Sequence, residues 1–369
     1  MTRRKRRYER RKAAREAKRT AFLAKYDSFE QVCDRNHLFA AADLAKKHVM
    51  WKGTVQRWSM EQLLNTEKLY RDLKAGKDVR KGFAKFKVCE RGKTRNISAV
   101  RFYERVVQKA LCKYVLYPVY TKSVLYDNAA SQCGKGTKFA ADRMIRHLAR
   151  HFRRCGQEGY AVLVDFKGYF ENIDHDVAKA IYRQMFKDLR LLKLIDGFID
   201  AYGVKGLGLG SETSQMHAIF YPNKIDHAIT ETHGCDKVFF GRYMDDSYIL
   251  TENKSAAVRM LDKIRDWCRR LRIILSPKKT MIVRIKNGLK WLKTVFYLTA
   301  TGKIVKKPEH KSVVRERRKL KKQIKLLRSK VLNMAEVAQS FESWAGSMKR
   351  RNARLSVWNM RRFLWSITI

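Results

Sequence analysis

Asp245 and Asp246 are adjacent carboxylates inside Gly241-Arg242-Tyr243-Met244-Asp245-Asp246-Ser247-Tyr248-Ile249-Leu250, between two apolar, aromatic runs. The runs 237–243 and 247–251 read as short strands, so Met244-Asp245-Asp246 falls at a hairpin turn. A tight turn would hold both acids at a rigid, exposed tip. Neighbouring carboxylates repel, and a divalent cation is the usual compensation. Asp is also a common turn residue in its own right. A further acid arriving from elsewhere is what would turn the pair into chemistry.

The stretch Tyr160-Ala161-Val162-Leu163-Val164-Asp165-Phe166-Lys167-Gly168-Tyr169-Phe170 supplies one. Residues 161–164 are apolar and β-branched, as in a strand buried on both faces, and Asp165 ends the run. Asp165 precedes Asp245 by 80 residues and meets it if their strands are sheet neighbours. Three carboxylates on one sheet edge can hold two Mg2+ ions about 3.5–4 Å apart, the arrangement for in-line nucleotidyl transfer. One ion would activate a primer 3′-hydroxyl and the other would hold the triphosphate of the incoming nucleotide.

Tyr243-Met244-Asp245-Asp246, with Asp165 followed five residues later by Phe170, resembles the palm of a reverse transcriptase. Other blocks follow in the order of bacterial members of that family. Gly92-Lys93-Thr94-Arg95-Asn96-Ile97-Ser98, followed by Glu104-Arg105-Val106-Val107-Gln108, is similar to the fingers motif, and Gly134-Lys135-Gly136-Thr137 resembles the second motif. Leu275-Ser276-Pro277-Lys278-Lys279-Thr280 and Trp291-Leu292-Lys293 are similar to the two blocks after the hairpin. The resemblance covers residues 60–365 and implies an α+β right-hand polymerase fold, with fingers, a palm of antiparallel sheet plus helices, and a helical thumb. It implies an enzyme that copies template RNA into cDNA with dNTPs and two Mg2+ ions, for which Mn2+ can substitute.

Composition agrees. Lys plus Arg number 82 against 35 acids, a net charge of +47, which calls for a polyanionic partner. Hydrophobic residues make up 45% and aromatics 11%, enough for a packed core rather than a disordered basic chain. No run approaches 18 apolar residues, so no membrane span is expected. Residues 1–19 are basic without an apolar core segment, unlike a secretion signal. The seven cysteines are scattered, without a Cys-x-x-Cys pair, which favours a reducing cytoplasm. The nine histidines show no His-Glu-x-x-His pattern.

The elements that must position these residues read as follows. Residues 1–27 form a basic arm, either touching nucleic acid or solvated. Residues 28–139 are assigned to the fingers: helical periodicity over 28–80 with Trp51, Trp58, Leu63, Leu64, Leu69 and Leu73 spaced for packing, strands at 83–89 and 95–99, and a helix over 102–117 ended or bent by Pro118. Residues 140–300 are assigned to the palm, with a helix over 255–272 that Ser255 can cap. Residues 301–369 are assigned to a thumb. Leu320, Ile324, Leu327 and Val331 give its basic helix an apolar stripe, and Phe341, Trp344 and Trp358 supply its core. Such a helix, packed on one side and basic on the other, suits the groove of a template–primer duplex. The chain ends soon after this lobe, so no RNase H, integrase or endonuclease segment is expected.

The resemblance carries roles residue by residue. Asp165, Asp245 and Asp246 are the catalytic acids and, with Phe166, the metal-binding positions; the second acid of the pair is often the looser one. Lys93 and Arg95 would hold the triphosphate from a loop. The rival reading of Gly92-Lys93-Thr94 as the end of a P-loop fails, because position 87 is Lys where a Gly is required. Lys279 would protonate the pyrophosphate leaving group, or is one more surface cation. Phe170 would stand against the sugar and reject a 2′-hydroxyl, or is a core aromatic. Phe166, Leu209, Gly210, Gln215, Tyr243 and Met244 complete the nucleotide-binding set.

In 206–215, Leu209 precedes Gly210 where most enzymes of this type carry Gln, and Ser214-Gln215 replaces Ser-Pro. The Leu-Gly-x-x-x-Ser-Gln pattern resembles the reverse transcriptases of diversity-generating retroelements, relatives of group II intron and retron enzymes in bacteria and phages. This implies adenine-directed, error-prone copying of a dedicated template RNA, contact with the cDNA/RNA duplex, and a small basic accessory protein oligomer as partner. A role in anti-phage defence or a retron-like element is the alternative within the enzyme class. An inactive RNA-binding relic is the alternative outside it.

Overall fold

The computed structural model of the chain describes residues 3–90, 93–231 and 238–368. Helix α1 (Arg3–Ala24) carries its described basic side chains into solvent, and Phe22, Leu23 and the following Tyr26 reach the main core. Helix α2 (Arg35–Lys46) starts at Asp34, whose carboxylate accepts the His37 N–H at 2.8 Å. It buries Leu38, Ala41, Ala42 and Ala45, one face at helical spacing.

Helices α3 (Gly53–Met60) and α4 (Gln62–Lys74) correct part of the expected packing. Trp58, Leu69 and Leu73 are buried, but Trp51, Leu63 and Leu64 are 75%, 73% and 70% exposed. The packed face of α4 is the stripe Gln62, Thr66, Leu69 and Leu73, and Leu63 and Leu64 point about 90° and 170° away from its centre at 3.6 residues per turn.

Strands β1 (Phe83–Glu90) and β2 (Lys93–Val100) form an antiparallel hairpin. Helix α5 (Phe102–Leu111) continues through a π turn at Cys112–Leu116 into α6 (Tyr117–Ser123). Pro118 therefore does not end the helix. It takes an N-terminal position of α6, where a residue without an N–H is tolerated.

Helix α7 (Thr137–Cys155) leads into β3 (Tyr160–Asp165). Helices α8 (Tyr169–Asn172), α9 (His175–Arg183), α10 (Leu189–Asp200), α11 (Glu212–Phe220) and α12 (Asn223–Thr230) follow. Then come β4 (Phe239–Tyr243) and β5 (Asp246–Thr251); Lys237, the expected start of the first run, lies outside the described residues. Helix α13 (Lys254–Arg270) buries Ala257, Leu261, Ile264 and Cys268 as expected. Its cap is Asn253, not Ser255: the amide oxygen accepts the Ala256 N–H at 2.8 Å, and Ser255 already lies within the helix.

Strand β6 (Met281–Arg284) completes a sheet of order β4-β5-β3-β6, antiparallel throughout. A smaller antiparallel sheet holds β7 (Leu289–Trp291), β8 (Thr294–Leu298) and β9 (Ile304–Pro308). Leu292 and Lys293 form its first turn at positive φ, beneath the buried Trp291. The architecture is thus α+β, a polymerase-type antiparallel sheet surrounded by helices.

Helices α14 (His310–Arg328), α15 (Met334–Met348) and α16 (Arg354–Thr368) gather their own core of Leu320, Ile324, Val337, Phe341, Ala345, Met360 and Leu364. Four expected members are absent from it: Leu327 and Trp344 are only half-buried, Trp344 packing against it, and Val331 and Trp358 are exposed. Val331 lies past the end of α14, after Lys330 at positive φ, and is exposed. Trp358 is also exposed, because Met360 and Leu364 fix the buried face of α16 and Trp358 sits about 200° from Met360. Among the described residues no helix is long and apolar enough to cross a membrane.

Candidate active site

Strand pairing brings the acids together. Asp165, the last residue of β3, stands opposite Asp246, the first residue of β5. Tyr243 pairs with Asp246, so the turn is the two residues Met244 and Asp245. Such a hairpin needs left-handed backbone, and Met244 provides it at φ 56° without being glycine. A non-glycine residue held there costs on the order of 1–3 kcal/mol, so the surroundings must fix it. The fixings are visible. The Phe166 N–H donates to the Asp245 carbonyl at 3.2 Å, and the buried Phe166 ring lies beneath the hairpin. Tyr243 and Met244 pack on the main core.

The acids are half-buried rather than fully exposed at a tip. Burial pushes the carboxyl of Asp246 up to about 7, with the charges of Asp245 and Asp165 adding to it. Asp245 is raised by burial and by Asp165. The segment after α13 closes the site. The Ser276 N–H donates to the Asp165 carbonyl at 2.8 Å, and the Lys279 ammonium donates to Asp165 Oδ2 at 2.7 Å. That bond raises the Lys279 pKa. To act as a proton donor, Lys279 must first leave Asp165.

Among the described residues no group of three or more side chains is already gathered as a metal cage. The donor chemistry nonetheless fits Mg2+: hard carboxylate oxygens, mutually repelling, with Lys279 the cation touching Asp165. Lys279 stands where a cation is electrostatically favoured.

Sequence reasoning missed what holds the hairpin from behind. Arg242 and Asp226 form a buried ion pair, 1% and 0% exposed, with Nε and Nη2 at 2.8 and 2.7 Å from Oδ1. Arg242 Nη1 also donates to the Met244 carbonyl at 3.3 Å, and the guanidinium lies 4.9 Å from the centre of the Phe166 ring. Burial raises the Asp226 pKa to about 6, against the pull of Arg242. The signal available was an Arg inside an apolar strand, which must find a carboxylate. Its partner, on α12, is not readable from spacing.

The remaining predicted residues fall in a second group. The Leu207 N–H donates to the Phe170 carbonyl at 2.6 Å, and the Ser98 N–H donates to the Leu209 carbonyl at 2.9 Å. The loop 206–210 thereby ties α8 to β2, beside Ile97. Gly210 is at φ 116°, and a Cβ there would sit 3.1 Å from Ile97 Cγ2. Phe170 is half-buried, edge-on to Tyr169 at 5.9 Å. Arg95 is exposed on β2, opposite Val88. Gly92 and the side chain of Lys93 lie outside the described residues. Gln215 is exposed on α11 and makes no described contact with the carboxylates.

The family model described as reverse transcriptase (RNA-dependent DNA polymerase) matches residues 79–301. Among solved structures the chain is similar to apo telomerase from Candida tropicalis truncated from its C-terminal domain. The identity is 15%, the cover 61% of this chain and 54% of that one, and the TM-score 0.45. It is similar also to apo telomerase from Candida tropicalis, at 14% identity, 61% and 48% cover and TM-score 0.45. The chain spans about half the length of these proteins. No curated protein matches it. The family match takes in more than half of the chain, including Asp165, the Asp245-Asp246 turn and Lys279, and the chain belongs to the reverse transcriptase (RNA-dependent DNA polymerase) family.

Proposed function

We propose that the chain is an RNA-directed DNA polymerase that copies a dedicated template RNA into cDNA with low fidelity, as the polymerase of a diversity-generating retroelement. One observation carries the polymerase reading: Asp165 and Asp246 in register at the closed end of β3 and β5, with Asp245 in the turn between β4 and β5, in a chain of this family. Bound Mg2+ supplies charge neutralisation for the triphosphate and a lowered pKa for the primer 3′-hydroxyl. The chain's own residues do the rest. Asp165 and Asp245 hold the cation site, with Asp246 supporting it. Lys279 swings from Asp165 to the leaving pyrophosphate, and Lys93 and Arg95 grip the triphosphate. The ring of Phe170 rejects a 2′-hydroxyl. The fingers are residues 28–139, the palm 140–300 and the thumb 301–369, with 1–27 as a basic arm. The separate core of α14–α16 supports the last boundary.

The subclass rests on Leu209 and Ser214-Gln215. A leucine offers the nascent base pair no hydrogen bond, so poor geometry at that pair goes unpenalised. A small basic accessory protein is the expected partner. Sequencing cDNA made on a defined RNA template with Mg2+ tests both levels. Extension with errors concentrated opposite template adenine supports the full reading. Accurate copying of adenine turns the assignment to a retron-like or anti-phage enzyme, and no extension removes the polymerase reading.

A further inference from the structure

The hairpin of β4 and β5 has a second end. Phe239 pairs with Leu250, and Thr251 with Tyr160, so this end lies about five residues, roughly 17 Å, from the carboxylates at a strand rise of about 3.3 Å per residue. Helix α7 packs along β4 there, with His147 Nδ1 2.9 Å from the Tyr248 hydroxyl. Between helix and strand lies a cleft of about 780 Å³ whose helix wall carries Arg143, Arg150, Arg153 and Arg154. That is the size of a pocket for one or two nucleotide units.

The arginines are not equivalent. Arg143 is bound to Asp127, which also lines the cleft, and Arg154 to Glu252. Arg150 and Arg153 are exposed and have no carboxylate partner among the described residues. The guanidinium of Arg150 lies 5.5 Å, and that of Arg154 5.6 Å, from the centre of the Phe239 ring. A cation within about 6 Å of a ring centre is attracted to the ring face, and a guanidinium fork matches phosphate oxygens in pairs. Arg150 and Arg153, three residues and about 4.5 Å apart along the helix axis, can reach with their long side chains to successive phosphates of one strand.

We propose that this cleft is an RNA anchor: it binds the sugar-phosphate backbone of a segment of the template RNA that is not being copied. The inference rests on the reading of the chain as an RNA-copying polymerase. The distance from the carboxylates sets the anchored segment apart from the template–primer terminus. Anchoring holds one RNA molecule while its copied portion advances.

The test compares wild type with Arg150→Gln/Arg153→Gln, and with Arg150→Lys/Arg153→Lys as the charge-preserving control. Fluorescence anisotropy is read on two probes, a short RNA–DNA template–primer and the same duplex with a long single-stranded RNA extension. The Gln pair should bind the short probe and extend its primer like wild type. On the extended probe its plot of log K against log salt should be shallower by about 1.4, two phosphates at about 0.7 each, which is roughly 25-fold weaker binding at 0.1 M salt. The Lys pair should keep most of the affinity. Equal affinity and slope for the Gln pair and wild type on the extended probe overturns the anchor. So does an equal loss on both probes, or a DNA extension that strengthens wild-type binding as much as RNA does. Binding is read without catalysis, so a wild type that makes no cDNA sinks the polymerase reading while leaving this comparison intact.

Discussion

Replacing Arg242 by Met should destabilise the protein in a pH-dependent way, and replacing Asp226 by Asn should not. The pair is buried, with side chains 1% and 0% exposed. Removing one partner of such a pair costs about 3–5 kcal/mol, because the other charge is left buried and unpaired. The two survivors differ. A guanidinium keeps its proton at any ordinary pH, so Asp226→Asn should cost the same at pH 6.5 and pH 8. A lone carboxylate can take up a proton. In the wild type the Asp226 pKa is already raised, from 3.8 to about 6. A raised carboxyl pKa contributes stability that is complete below the unfolded value and is lost as pH rises through the folded one. The wild type has therefore lost this contribution by about pH 6. Without Arg242 the folded pKa climbs further, so the loss continues above pH 6. Each pH unit is worth about 1.4 kcal/mol, and the penalty of Arg242→Met should grow by about 2 kcal/mol between pH 6.5 and pH 8. Urea midpoints at the two pH values measure this. The double variant Arg242→Met/Asp226→Leu should recover most of the loss, since apolar pairs of similar volume replace buried ion pairs well. Primer extension by Arg242→Met should fall even at pH 6, because the Met244 carbonyl loses its donor. An Arg242→Met penalty that is equal at both pH values, or absent, would refute the reasoning.

Phe170→Ala should admit ribonucleotides, read as the ratio of rNTP to dNTP incorporation; an unchanged ratio makes Phe170 a packing residue only. Leu209→Gln restores a polar contact worth roughly 1 kcal/mol, so the error rate opposite adenine should drop about five- to ten-fold without loss of extension. An unchanged error spectrum in sequenced cDNA would detach Leu209 from fidelity. Deleting residues 1–19 removes exposed basic residues of α1, and should flatten the salt dependence of template–primer binding. An unchanged slope means that the arm is solvated.

The parts of the molecule legible in its sequence are those written in short-range pattern. The strands flanking the Asp pair and the one ending at Asp165 could be read from apolar runs; that β3 and β5 are neighbours, with Asp165 opposite Asp246, is set by the sheet and could not be read from either run alone. The face of α13 was legible from helical spacing, but its cap was not: Asn253 and Ser255 are both good caps, and the choice depends on where the chain leaves β5. Apolar residues were over-assigned to cores at Trp51, Leu63, Leu64, Val331 and Trp358, because a helix buries one stripe whatever else it carries. Pro118 marked an irregularity but not its form: the chain passes through a π turn at Cys112–Leu116 and goes on as helix, which the proline alone does not specify. The Arg242–Asp226 pair, which holds the hairpin, joins a strand to a helix across the core, and no spacing rule announces it.

Primer extension on an RNA template with dNTPs and Mg2+, comparing wild type with Asp165→Ala and Asp245→Ala, tests the central claim most directly. Each variant should lose essentially all incorporation, because each removes a carboxylate proposed to hold the cations, while affinity for the template–primer stays within a few-fold of wild type. Near-normal extension by either variant, under conditions where the wild type extends, would contradict the assignment of these carboxylates as the active site.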